Sequence, residues 1–285
     1  MSDTLKVACV QLTSTTDISE NIQISSELIR EAYSQGAQLI SLPEVVNLVQ
    51  RSRRKSAEVV RNEDEETSLR AYRELAAELG VWLHTGSLVI KLINDERNVN
   101  RSFLIDDKGA IAATYDKIHM FDVDLENGVS FRESRAFRPG NRAVVAETPW
   151  GGVGMTVCYD VRFAYLYRAL AKAGASILMV PAAFTRQTGQ AHWHILLQAR
   201  AIETGCFVVA AAQCGDHEDG RETYGHSLIV APWGEILADG EEEPCVVMAD
   251  LDFTKIDKAR GMVPALSHDR DFAPPIPIGL KVAGE

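Results

Sequence analysis

No apolar run in this chain approaches the roughly 20 residues that span a bilayer, so a membrane-embedded protein is not expected. Cysteine is sparse and scattered: Cys9, Cys158, Cys206, Cys214 and Cys245 are an odd set without a CxxC pair. That pattern fits reduced thiols in a cytoplasmic protein and argues against a disulfide framework or a zinc site. Positive charge is also in short supply. The 285 residues carry 29 Lys and Arg against 40 Asp and Glu, a net charge of −11. Neither a nucleic acid nor an anionic membrane is expected as a partner, because both need a basic footprint. The opening MSDTLKVACVQL has no basic stretch leading into a long apolar segment, so no secretion signal is expected. No low-complexity linker or short-period repeat divides the chain. With 46% hydrophobic and 24% charged residues, it reads as one globular domain over residues 1–285 with one continuous core.

The apolar pattern alternates between the two regular periods. LKVACVQL reads as a strand, IQISSELIREAYSQG as a helix stopped at Gly36, and AQLISLPE as a buried strand ending at Pro43-Glu44. EETSLRAYRELAAELG reads as a helix and VWLHTGSLVI as a strand, which completes a β-α-β-α-β series and predicts an α/β sheet covered by helices. RSFLID, DKGA and IAATYDKI predict a hairpin, and His119 to Arg142 a long irregular loop of the kind that is usually functional. A second series comes next: strands AVVAETPW and GVGMTVC, helix AYLYRALAKAG, strand ASILMVPAAF, helix AHWHILLQARAIETG and strand CFVVAAAQC. GHSLIVAPWGEILADG and CVVMADLD are read as two last strands. Residues 256–285, with four of the ten prolines, read as an extended arm.

Three polar residues fall at or just beyond strand ends, where α/β sheets meet their ligands: Glu44 after LISLP, Lys117 after AATYD and Cys158 after VGMTV. Each also has an ordinary reading, as a solvated turn glutamate, a surface lysine and a core thiol. Cys158 sits at a strand-to-helix junction, with Asp160 placed to cap the helix beyond it. The positive end of a helix dipole, or a nearby ammonium such as Lys117, would lower the thiol pKa. A carboxylate such as Glu44 would accept its proton, giving a Cys-Glu-Lys set without a histidine base. Spacings of 73 and 41 residues mean that only the fold can bring the three together.

LPE with Glu44, YDKIHMFD with Lys117, RESRAFRPG with Glu133 and GMTVCYDVRF with Cys158 together resemble the nitrilase, or carbon–nitrogen hydrolase, superfamily. The likeness continues in the family's order through VPAAFTRQTGQAHW, YGHSLIVAPWGE and KARGMVPALSHDR. CYD resembles the amidase branches, and ARAIETGCFVVAAAQCG is most similar to the deaminated-glutathione amidases, near the ω-amidases. The resemblance implies a four-layer α-β-β-α sandwich paired across a two-fold axis, as a homodimer or higher homo-oligomer, and no cofactor or metal; the apolar, proline-rich residues 256–285 are expected at a subunit interface. It implies an amidase acting on a small carboxylated amide through a thioester. The first candidate is deaminated glutathione, cleaved to 2-oxoglutarate and Cys-Gly; 2-oxoglutaramate and N-carbamoyl amides are the alternatives. It also implies roles: Glu44 as general base, Cys158 as nucleophile, and Lys117 with the backbone N–H of Tyr159 as oxyanion donors. Glu133 would be the second glutamate, positioning substrate and assisting proton transfer. The chain departs from the family pattern at Ala164-Tyr165, where relatives commonly have Pro-Glu, and at His194, where they commonly have Glu.

Two readings lie outside this class. One is a thiol hydrolase with His119 or His226 as base; the other is a non-catalytic binding protein on the same fold. His192 and His194 do not form a metal pair, because residues i and i+2 of a helix face apart. Cys206 and Cys214 read as core thiols, and Cys9 and Cys245 carry no signal. RSRRK, residues 51–55, reads as a solvated loop or as a basic lure for an anionic substrate near Glu44. The acidic NEDEE just after it reads as a solvated helix start.

Overall fold

Alternate side chains of the first strand, β1 (Thr4–Gln11), enter two different cores. Leu5, Val7 and Cys9 enter one, and Ala8 and Val10 the other, as the period-two geometry of a strand buried on both faces requires. The structure is a computed structural model and describes residues 4–125 and 130–274. β1 runs parallel to β2 (Leu39–Ser41), and β2 parallel to β3 (Trp82–His84). Parallel neighbours need a crossover, supplied by α1 (Ile18–Ser34) and then by α2 (Arg53–Val59) and α3 (Thr67–Leu79). β4 (Leu88–Lys91), β5 (Asn98–Ile105) and β6 (Ile111–Asp116) extend this sheet with antiparallel pairings.

A small hairpin, β7 (Asp122–Asp124) with β8 (Ser130–Arg132), leads to the second sheet. There β9 (Val144–Thr148) pairs antiparallel with β10 (Gly151–Met155), and β10, β11 (Ala175–Met179) and β12 (Phe207–Ala210) run parallel. Their crossovers are α4 (Ala164–Lys172) and α5 (Arg186–Thr204). After a ribbon of β13 (Cys214–Asp216) and β14 (Glu222–Tyr224), β15 (Leu228–Val230) and β16 (Ile236–Asp239) complete the sheet. β17 (Cys245–Asp252) then returns to the first sheet and pairs with β1 from Thr4 opposite Asp252 to Gln11 opposite Cys245.

The layers follow from which faces are apolar. Ile29, Ala32, Tyr72 and Leu75 of α1 and α3 share a cluster with Ala8 and Val10. The inner faces of the two sheets meet through Leu5, Val7 and Leu39 against residues such as Val153, Ile177 and Phe207, and Leu166, Leu170, Trp193 and Leu197 of α4 and α5 belong to the same cluster. Each fully buried Val, Leu or Ile contributes about 1.5–3 kcal/mol. The result is the four-layer α-β-β-α sandwich expected. Local signals agree with it: Asp17 caps α1 by accepting from Ser19 N and Glu20 N, and Gly80 and Gly205 end α3 and α5 in the left-handed conformation. Among the described residues no helix is long and apolar enough to cross a membrane.

Several local expectations are corrected. VWLHTGSLVI is two strands, broken at Gly86 (φ +64), where an added Cβ would lie 2.0 Å from Pro43 O. Only glycine lets this bend come so close to the turn that carries Glu44. GHSLIVAPWGEILADG is likewise two strands, β15 and β16, around a turn at Gly234. α5 begins at Arg186, ahead of the apolar periodicity, because Thr185 accepts from Thr188 N as its cap. The loop from His119 to Arg142 contains β7, β8 and a 3-10 turn at Glu133–Arg135. The expected arm begins instead as a helix, α6 (Thr254–Met262), docked on its own chain through buried Ile256 and Ala259 and through Arg260, which donates to Thr204 O and Ala175 O. Residues 275–285 of that expected arm lie outside the described residues. RSRRK is partly helical, its last three residues opening α2.

Candidate active site

The carboxyl ends of strands from both sheets converge on one cleft of about 1140 Å³. Glu44 follows β2 by three residues and Lys117 follows β6 directly. Cys158 lies three residues beyond β10, at the start of a 3-10 turn, Cys158–Arg162. Glu133 opens the turn after β8. Glu44, Lys117, Glu133 and Cys158 all line the cleft, as does Tyr159. The three polar residues at strand ends, together with Glu133, therefore meet in space.

Lys117 is the hub. Its Nζ donates to Glu44 Oε1 at 2.8 Å and to both carboxylate oxygens of Glu133 at 2.9 Å. Its side chain is only 2% exposed, so the ammonium is removed from water and held by two carboxylates. Glu44 collects further donors: Asn100 Nδ2 at 2.9 Å on Oε1, Ala183 N–H at 2.9 Å on Oε2, and the Cys158 thiol. Glu133 keeps 14% exposure and receives, besides Lys117, only the Phe121 N–H at 2.6 Å among the described residues.

That difference in donors separates the two carboxyls. Burial alone would raise Glu44, but the Lys117 charge and the hydrogen bonds from Cys158, Lys117 and Asn100 outweigh it and hold the group below the usual carboxylate range. Glu133 goes the other way: burial raises it, Lys117 only partly offsets this, and the Glu44 charge adds to the rise. Burial would lower Lys117, yet Glu133 and Glu44 keep it well above its ordinary value and charged. For Cys158 the expected lowering is reversed. Burial and the adjacent Glu44 charge push the thiol well above its ordinary value, with Lys117 opposing. The site therefore holds an ionised Glu44 hydrogen-bonded to a protonated thiol.

The turn that presents Cys158 is built from backbone strain and one buried acid. Cys158 has φ +49, rarely adopted outside glycine, and its N–H donates to Pro181 O at 2.8 Å. Asp160 does not cap α4, whose first turn follows Phe163 without a side-chain cap. It instead lies fully buried and accepts from Val157 N and the Tyr115 hydroxyl on Oδ2, and from His119 N on Oδ1, so it fixes the turn itself. Tyr159 occupies the second position of that turn, where a backbone N–H has no carbonyl within the helix to bond. Its ring packs edge-on against Phe121 and Phe163. His119 is held by Asp160 at 2.7 Å on Nδ1 and by the Tyr165 hydroxyl at 2.6 Å on Nε2. His226 faces Asp239. Neither histidine lines the cleft.

Asn100 is a site residue that the sequence does not single out. It is buried on β5, its backbone oxygen accepts from Lys117 N, and its side-chain Oδ1 has no partner among the described residues. The available signal is an asparagine pair flanking Val99 in an otherwise strand-like run. All five cysteines are free, and Cys9, Cys206 and Cys214 are buried.

A family model described as carbon–nitrogen hydrolase matches residues 6–261. The nitrilase and fragile histidine triad fusion protein NitFhit of Drosophila melanogaster is 42% identical over 269 residues, covering 93% of this chain and 57% of that protein. The chain thus spans little more than half of that relative's length. The deaminated glutathione amidase of Homo sapiens is 41% identical over 270 residues, 93% of this chain and 82% of that one. Among solved structures, Saccharomyces cerevisiae Nit3, a member of branch 10 of the nitrilase superfamily, superposes with a TM-score of 0.85 at 29% identity, covering 94% of this chain and 97% of that one. A glutamate-to-glutamine variant of the amidase from Nesterenkonia sp. AN1 superposes with a TM-score of 0.77 at 27% identity, covering 89% and 92%. That structure shows covalent addition of the acetamide moiety of fluoroacetamide at its active-site cysteine.

Proposed function

The chain belongs to the carbon–nitrogen hydrolase family, and from that premise we propose that it is an amidase cleaving a small carboxylated amide through a Cys158 thioester. The observation that carries this reading is the ionised, four-donor Glu44 hydrogen-bonded to the protonated Cys158 thiol beside Lys117. Cys158 Sγ attacks the amide carbonyl as Glu44 takes the thiol proton. The carbonyl oxygen becomes an oxyanion stabilised by Lys117 Nζ and the Tyr159 N–H. The C–N bond then breaks and the amine leaves with the proton from Glu44. Water attacks the thioester, gives a proton to Glu44, and the acid product departs as Cys158 recovers its proton. Glu133 holds Lys117 in place from the far side. A histidine base is not favoured, because His119 and His226 are engaged away from the cleft.

The best substrate in this reading is deaminated glutathione, which carries a carboxylate at each end. The cleft exceeds the usual 300–1,000 Å³ of small-molecule pockets. Nine basic side chains line it against five acidic ones, in a chain whose net charge is −11. Arg54, Arg132, Arg186 and Arg221 already pair with carboxylates, whereas Arg51, Arg53 and Arg135 form no ion pair among the described residues. Pairing into a homodimer is supported by Ile195 and Ile202, exposed one heptad apart on α5, and a cytoplasmic setting by the free thiols.

The test is 2-oxoglutarate release by the full chain. A kcat/KM for deaminated glutathione well above that for 2-oxoglutaramate is expected. The opposite ratio would make the protein an ω-amidase. Release from neither, with N-carbamoyl amides also inert, would favour a non-catalytic binding protein. Replacing Arg51, Arg53 and Arg54 by alanine is expected to raise KM for the dicarboxylated amide about tenfold with kcat little changed, since these charges attract substrate without touching the reacting atoms. An unchanged KM would remove the arginines from substrate capture.

A further inference from the structure

His194 does not stand alone on α5. Its Nε2 lies 3.1 Å from Asp239 Oδ2, at the end of β16. On the same carboxylate, His226 Nδ1 lies 2.9 Å from Oδ1 and 3.1 Å from Oδ2. The three ligand-type atoms all fall within 4.8 Å of one another. Ligand atoms around a tetrahedral zinc ion, with Zn–N bonds of about 2.0–2.1 Å, stand about 3.3 Å apart. Two of the three edges are already near that length, and the third, between the two imidazoles, is no more than 4.8 Å.

The trio is held by a second layer of contacts. Asp239 Oδ1 also accepts the Glu241 N–H at 2.9 Å. The Trp193 indole donates to His226 O at 2.7 Å, and the Tyr224 ring stacks on the His226 imidazole at 4.4 Å. His226 itself is kept at φ +53, a conformation a non-glycine residue adopts only when its surroundings impose it. Such outer contacts orient metal ligands in known sites. The three side chains are 18–29% exposed, so an ion has a path in and water has access to a fourth position.

We propose that His194, His226 and Asp239 form a binding site for one divalent transition ion of the zinc class, tying α5 to the β15–β16 hairpin. Two imidazoles and one carboxylate select such ions over Mg²⁺ or Ca²⁺, which prefer all-oxygen sets. The site is distinct from the cleft and independent of the amidase reading. It also differs from a His192–His194 pair: His192 faces Arg162, and the partners of His194 come from other elements.

Untagged, metal-free full-length protein titrated with Co²⁺ and with Zn²⁺ tests this. One equivalent of Co²⁺ should give the intense visible bands of tetrahedral coordination without thiolate-to-metal charge transfer, and Zn²⁺ should displace it and raise Tm. His194→Gln and, separately, Asp239→Asn should each weaken binding by more than about 100-fold, since even outer-layer changes cost 10–100-fold. Cys158→Ala should bind as wild type. The proposal is overturned by no stoichiometric binding, by binding that both variants retain, or by a thiolate band that disappears with Cys158→Ala.

Discussion

Cys158→Ala is expected to reduce turnover about 10⁶-fold, and Glu44→Gln about 10²–10⁴-fold, or about 3–5 kcal/mol of transition-state stabilisation. The two variants should part company in how the thiol reacts. Because burial and the Glu44 charge keep the Cys158 thiol protonated well above its ordinary range, free thiolate is scarce at neutral pH. Alkylation by a neutral haloacetamide in the wild type then depends on Glu44 taking the proton, and Glu44 stays ionised because its pKa is depressed. The wild-type rate should therefore be flat from mildly acid to neutral pH. In Glu44→Gln the proton must go to solvent, and the rate should rise about tenfold per pH unit. An adduct should still form, as it does at the active-site cysteine of the glutamine variant of the Nesterenkonia amidase. Mass spectrometry of the adduct against pH, beside amide turnover, checks both. A flat profile in Glu44→Gln would show that some other group accepts the proton.

The thiol exposes where sequence reasoning stops. The strand ends at Glu44, Lys117 and Cys158 are legible because each follows an apolar run of strand period, and the order β-α-β-α-β, twice over, fixes which ends of the strands meet the cleft. The sign of the Cys158 shift is not legible. It depends on how deeply the turn is buried and on Glu44 lying nearer in effect than Lys117, and both are consequences of packing between the two sheets. Asp160 misleads for a related reason. Its position in the chain suits a helix cap, but its oxygens are taken by Val157, Tyr115 and His119, the last two from a segment more than 40 residues away. The break at Gly86 is hidden because VWLHTGSLVI has strand composition throughout, and only the close approach of Pro43 O demands a glycine there. Asn100 has only the weak local signal of the asparagine pair around Val99. Its meaning comes from β5 lying beside β6, which places it against both Lys117 and Glu44. Local periodicity thus specifies the elements, whereas donors, burial and charge at the site are properties of residues far apart in the chain.

Lys117→Met should damage both folding and catalysis, and for separable reasons. Lysine and methionine are similar in length, so the main loss is the ammonium between two buried carboxylates. Breaking a buried pair by removing one partner costs about 3–5 kcal/mol. The loss should depend on pH in a defined direction. In the wild type, the depressed Glu44 contributes stability above its unfolded pKa that is lost as pH falls through the folded value, while the raised Glu133 costs stability as pH rises above its unfolded value. Without Lys117 both carboxyls resist ionisation, so the variant should be least stable, relative to wild type, at neutral pH and should approach it in acid. Adding Glu133→Gln removes one of the opposed charges and should restore about 1–3 kcal/mol, a coupling of the size expected for groups sharing one partner. Activity should stay at least about 100-fold down in both variants, because the proposed mechanism needs Lys117 as oxyanion donor. Urea unfolding at acid and neutral pH, with amide turnover on the same samples, measures each part. Recovery of activity together with stability in the double variant would mean that Lys117 serves only to hold the two glutamates in place.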